Sequence, residues 1–98
     1  MFTPLPFCVY VLFSEKDNML YTGYTSDLNR RMQQHLNGES PNTSKRLPVK
    51  LIFCEYYLFK EDAERRENYF KTTAGKKALK IMLNGTLEKL KNGFTNNL

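Results

Sequence analysis

The chain has 98 residues, a formal net charge of +5, one histidine and two cysteines. That length suits one domain with one core, and no apolar stretch approaches the roughly 20 residues that span a bilayer. Met1 to Pro6 has no basic region and no long apolar run, so the expectation is a cytoplasmic protein without a signal peptide or membrane partner.

Phe7 to Phe13 is an unbroken apolar and aromatic run, which predicts a strand covered on both faces. Ser14 to Asn18 is polar and turn-like, and Met19 to Tyr24 predicts the second strand of a hairpin. A helix is expected from about Thr25 to Asn37. Thr25, Ser26 and Asp27 are all residues that cap helix starts, and Gly38 is placed to terminate it. At 3.6 residues per turn, Leu28, Met32 and Leu36 form an apolar stripe, with Arg31 and His35 at its edge, one turn apart.

Glu39 to Pro48 reads as a loop carrying two prolines and the basic pair Lys45 and Arg46. Lys50 to Tyr57 is a third strand, and Lys60 to Thr72 a second helix. Ala63, Glu67, Phe70 and Ala74 share one helix face, so Glu67 is an acid in an apolar stripe. A third helix is expected from Gly75 to Asn84, closed by Gly85, with a short last helix over Thr86 to Asn92 and frayed residues beyond. The expected fold class is α+β: a small three-stranded, mainly antiparallel sheet flanked by helices, in the order β-β-α-β-α-α. Cys8 and Cys54 lie in strand-like runs and are expected as buried reduced thiols, and the lone histidine with two distant cysteines does not suggest zinc.

Charge is unevenly spread. Residues 1–70 carry nine Lys/Arg and nine Asp/Glu, whereas residues 71–98 carry Lys71, Lys76, Lys77, Lys80, Lys89 and Lys91 against Glu88 alone. A basic end of this kind attracts phosphate polyanions. A merely solvated lysine-rich helix is the competing reading.

Tyr10 and Tyr21 lie on consecutive strands, where hairpin pairing can bring them to one face. Each of the notable residues also has a plain structural role: tyrosine packs in strands, and a helical arginine or glutamate forms surface ion pairs. Together, Tyr10, Tyr21, Arg31, His35 and Glu67 fit phosphodiester hydrolysis. That reaction needs an activated water, a cation to neutralise the phosphate, and help for the leaving oxygen.

The order strand-Tyr, hairpin, Tyr-x-Gly, helix with Arg and His, later helix with Glu resembles the GIY-YIG nuclease superfamily over roughly residues 7–83. Cys8-Val9-Tyr10 is similar to the first signature triplet and Tyr21-Thr22-Gly23 to the second, with Arg31 ten residues after its tyrosine and His35 one turn further on. The first triplet keeps only its tyrosine, and the second its tyrosine and glycine. The runs Leu20 to Gly23, Pro48 to Leu51 and Glu67 to Lys71 are similar to those of short stand-alone bacterial members, which are related to the nuclease domain of the excinuclease C subunit.

The resemblance implies a single catalytic domain over residues 1–98, with a basic extension from 84, acting as a DNA endonuclease in repair or recombination. It implies Mg²⁺ or Mn²⁺ held by Glu67, Tyr10 and Tyr21 beside the attacking water, Arg31 bracing the phosphate and His35 assisting. No small-molecule cofactor is implied. Lys45, Arg46, Lys71, Lys76, Lys77 and Lys80 are the expected nucleic-acid contacts, and a protein partner could supply specificity. Two other readings stand beside this one: a nucleic-acid-binding module that cuts nothing and acts with a partner, and a small protein-interaction domain.

Overall fold

The computed structural model describes residues 4–92, so the expectation of a frayed end beyond Gly93 falls outside the described residues. Three strands, β1 (Phe7–Ser14), β2 (Leu20–Thr25) and β3 (Val49–Tyr57), alternate with α1 (Leu28–Leu36), α2 (Lys60–Lys71), α3 (Thr73–Met82) and α4 (Asn84–Lys91). The strands form one sheet in the order β2-β1-β3, antiparallel throughout. β1 is central, as its two apolar faces require. Cys8 to Ser14 are all buried.

The sheet divides the interior in two. On one face Val9 and Val11 meet Ala63 and Phe70 of α2 and Leu79 of α3. This is the larger apolar core. On the other face Cys8, Tyr10 and Leu12 pack with Val49, Leu28 and Met32. Opposite β1, Val11 pairs with Phe53 but Leu12 with Leu51, so Ile52 is the extra residue of a bulge in β3. Cys8 and Cys54 are free thiols, with Cys8 buried and Cys54 partly so. No helix of the described residues is long and apolar enough to cross a membrane.

Local chemistry explains the element ends. Asp27 accepts from the Arg30 backbone N–H at 3.1 Å and caps α1. Gly38 takes φ of +74°, and its N–H reaches the His35 carbonyl at 3.1 Å, so it terminates α1 as expected. Thr72 separates α2 from α3. Its hydroxyl donates to the Tyr69 carbonyl and accepts from the Gly75 N–H, so α3 begins at Thr73 and contains Gly75.

Three sequence expectations need correction. The apolar face of α2 does not run on to Ala74, which lies in α3 and is exposed, because the chain turns at Thr72. Gly85 does not close α3; it lies inside α4, the short last helix, which starts at Asn84 and not at the expected Thr86, giving the full order β-β-α-β-α-α-α. Leu36 is 58% exposed, and His35 occupies the buried position instead. Leu28, Met32 and His35 share a face at i, i+4 and i+7 as readily as Leu28, Met32 and Leu36 do at i, i+4 and i+8.

Two glycines in helices should respond oppositely to alanine. A Cβ on Gly75 would overlap the Tyr69 carbonyl and stand 2.7 Å from Phe70 Cα, whereas one on Gly85 meets nothing within 4 Å. In urea unfolding, Gly75→Ala is expected to lose about 2–3 kcal/mol, and Gly85→Ala to gain about 0.5–1 kcal/mol from helix propensity and a less free unfolded chain.

Candidate functional site

The strand register builds the site. Tyr10 lies opposite Gly23, and Leu12 opposite Tyr21, so all four lie on the α1 face of the hairpin. A Cβ at position 23 would overlap the Tyr10 hydroxyl and lie 2.6 Å from its Cζ. Glycine is therefore needed at 23 for the phenol of Tyr10 to cross β2. This is a steric reason for Tyr-x-Gly that periodicity does not carry.

The Tyr10 hydroxyl is a hub. It accepts from Arg31 Nε at 3.2 Å and lies 2.9 Å from His35 Nε2. The other imidazole nitrogen, Nδ1, is 2.7 Å from Thr43 Oγ1. Arg31 is further held through Nη1 to Gln34 Oε1 at 2.9 Å and through Nη2 to Ser40 Oγ at 3.3 Å. Tyr10 is 3% exposed and His35 4%. Burial pushes the Tyr10 pKa above its usual value, against the opposing pull of Arg31. Burial, reinforced by the Arg31 charge, lowers that of His35, so the imidazole is neutral near pH 7.

Tyr21 shares the face but not the hub. Its hydroxyl donates to Asp17 Oδ2 at 2.7 Å, and the same carboxylate oxygen pairs with Arg46 Nε at 3.3 Å. Its pKa is also raised, by desolvation and then by Asp17.

A cleft of about 580 Å³ follows β2, with Tyr10, Arg31 and His35 on its wall together with Glu67, from α2. The Glu67 side chain is 15% exposed and its Oε2 binds Lys71 Nζ at 2.9 Å. One turn earlier on α2, Glu64 accepts from the Tyr24 hydroxyl at 3.1 Å and ties α2 to β2. Among the described residues, no three His, Cys, Asp or Glu side chains gather into a ligand group. A single carboxylate on a cleft wall is a fitting donor for a hard cation that keeps most of its waters, such as Mg²⁺, and an unfitting one for structural zinc.

The cleft thus brings together Tyr10, Tyr21, Arg31, His35 and Glu67. It also takes in Lys71, Lys76 and Lys80, while Lys45, Arg46 and Lys77 are exposed but do not line it. Sequence reasoning missed Ser40 and Thr43, buried hydroxyls in the loop that carries Lys45 and Arg46. It also missed Lys91 as a lining residue, although the basic end of the chain pointed that way.

The family model described as the GIY-YIG catalytic domain matches residues 6–80. The UPF0213 protein YazA of Bacillus subtilis (strain 168) is 44% identical over 63 residues, which is 63% of this chain and 64% of that protein, just under two thirds of its length. A UPF0213 protein of Staphylococcus saprophyticus is 39% identical over 71 residues, covering 71% of this chain and 87% of that protein. Another, from Streptococcus agalactiae, is 44% identical over 68 residues, covering 68% and 76%. No solved structure matches.

The buried imidazole predicts a pH effect on stability. With a folded pKa below the usual 6.5, the unfolded chain binds the proton first as pH falls. Stability from His35 is therefore complete above about 6.5 and declines as pH falls toward the lower folded value. Urea unfolding at pH 7 and pH 5 should show a larger loss in the wild type than in His35→Gln. Equal losses would mean that His35 is not held neutral.

Proposed function

The chain belongs to the GIY-YIG catalytic-domain family, and from that premise we propose that it is a metal-dependent DNA endonuclease. The observation that carries this is the Tyr10 hydroxyl, held by Arg31 and His35 on the wall of a cleft that also contains Glu67. Family membership implies nuclease ancestry, whereas activity, metal and substrate are the content of the proposal.

Tyr10 takes the proton of the attacking water. A phenol with a raised pKa is a neutral, weak base near pH 7, so it accepts a proton only as it gives up its own. His35, neutral and 2.9 Å away, is the acceptor. This assigns the imidazole proton to Nδ1, which donates to Thr43 Oγ1, and leaves the Nε2 lone pair facing Tyr10. Tyr21 is the weaker candidate for this role, since its hydroxyl already donates to Asp17. Arg31 braces the phosphate and keeps Tyr10 in place, a task suited to a planar fork with several donors. Glu67 would hold Mg²⁺ or Mn²⁺, which when bound supplies charge neutralisation at the phosphate oxygens. Lys71, Lys76 and Lys80 draw the polyanion to the cleft by a sequence-independent attraction. Lys45, Arg46 and Lys77 reach more distant phosphates. Phosphodiester cleavage of this kind serves repair and recombination alike.

One observation favours a second reading, a binding module that does not cut. Glu67 is already paired with Lys71, which competes with any cation for the carboxylate.

A nicking assay at low salt with Mg²⁺ or Mn²⁺ separates the two. Tyr10→Phe is expected to lower the rate by about 10²–10⁴-fold, and Glu67→Gln and Arg31→Ala to abolish cleavage, Glu67→Gln with its melting temperature little changed. Salt-sensitive DNA binding with no cleavage by the wild type would transfer the protein to the binding class.

A further inference from the structure

The cleft is larger than a scissile phosphate and its ion require. Its volume of about 580 Å³ lies in the range of whole small-molecule sites, roughly 300–1,000 Å³. Tyr10, Arg31, His35 and Glu67 account for only part of its wall. Along the rest, the half-buried Leu20 and Tyr24 of β2 supply an apolar surface, backed by Leu79 of α3 and Leu87 of α4, which are themselves buried. Lys76, Lys80 and Lys91 also line the cleft, and among the described residues Glu67 is its single acidic lining residue. Among the described residues, the part framed by α3 and α4 is therefore lined by apolar and cationic side chains and by no carboxylate.

We propose that this part of the cleft receives an unpaired nucleotide beside the phosphate that is cut, so that the substrate is single-stranded or locally unpaired nucleic acid. The base lies against Leu20 and Tyr24, and the flanking phosphates meet the three lysines. The inference deepens the nuclease reading above and rests on it. A base inside a duplex is stacked on both faces and exposes only its edges in the grooves. It can cover an apolar surface only by leaving the stack, which is least costly when the strand is already unpaired. Apolar and aromatic contacts to bases combined with a basic track for the backbone are the usual means of holding single strands. The lysine rim argues for a polyanion over an apolar peptide.

The test is fluorescence anisotropy in EDTA, where no cleavage occurs. Three labelled oligonucleotides of equal length are compared: a single strand, a fully paired hairpin, and a single strand of abasic residues. The normal single strand is expected to bind at least tenfold tighter than the hairpin, and the abasic strand to lose on the order of tenfold. Thr22→Trp, which narrows the cleft from β2, should remove the preference for bases, with its melting temperature checking the fold. Lys80→Glu with Lys91→Glu should weaken normal and abasic strands alike and flatten the salt dependence. Equal affinity for hairpin and single strand, or an abasic strand bound as tightly as the normal one, overturns the proposal. The two readings fail separately. Glu67-dependent cutting of continuous duplex in Mg²⁺ would uphold the nuclease and overturn the unpaired-nucleotide site. Base-dependent binding in EDTA without cutting in Mg²⁺ would uphold the site and overturn the nuclease.

Discussion

A buried phenol must find partners for its hydroxyl, and much of this molecule is arranged around that need at Tyr10. Leaving such a group unsatisfied costs about 1–3 kcal/mol. Arg31 and His35 meet it from α1, which fixes the rotation of that helix against the sheet. Ser40 and Thr43 then meet the remaining needs of Arg31 and His35, which fixes the loop after α1. Gly23 leaves the space through which the phenol passes. Each link is ordinary, but together they hold three polar side chains with little freedom, as a preorganised site requires.

Stability and site are separated by the sheet. The face toward α2 and α3 carries the larger apolar core, built on Val9, Val11, Phe70 and Leu79. The α1 face is more mixed: Leu28 and Met32 pack on the sheet, while Arg31 and His35 turn to Tyr10. β1 serves both faces, with alternate residues in the core and in the hub. Glu67 comes to the cleft from the core side, on a helix tied to β2 through Tyr24 and Glu64. The cleft thus draws on both layers along β2.

Much of this was legible in the residues. An apolar run on both faces marked β1 as central, the cap candidates Thr25, Ser26 and Asp27 together with Gly38 bounded α1, and the helix wheel singled out Arg31, His35 and Glu67. The wheel could not choose between His35 and Leu36, because both lie near the stripe of Leu28 and Met32. A hydrogen bond to a tyrosine 25 residues away decided it. Ser40 and Thr43 had no signal, since a loop has no period and a buried hydroxyl looks like a solvated one. Gly85 resembled a terminator and the last helix was expected to start at Thr86, but α4 starts at Asn84 and takes Gly85 into its first turn, with Leu87 packed inward. Of the lysines, composition marked the region but not which side chains face the cleft.

The proposed proton route through Tyr10 needs His35 to be neutral, with its Nε2 lone pair facing the phenol. Long-range ¹H–¹⁵N NMR on labelled protein across a pH titration reads both features from the two ring nitrogens. The expected result is a single Nδ1–H tautomer at pH 7 and a pKa below 6.5. An Nε2–H tautomer, or a pKa at or above 6.5, would contradict the route.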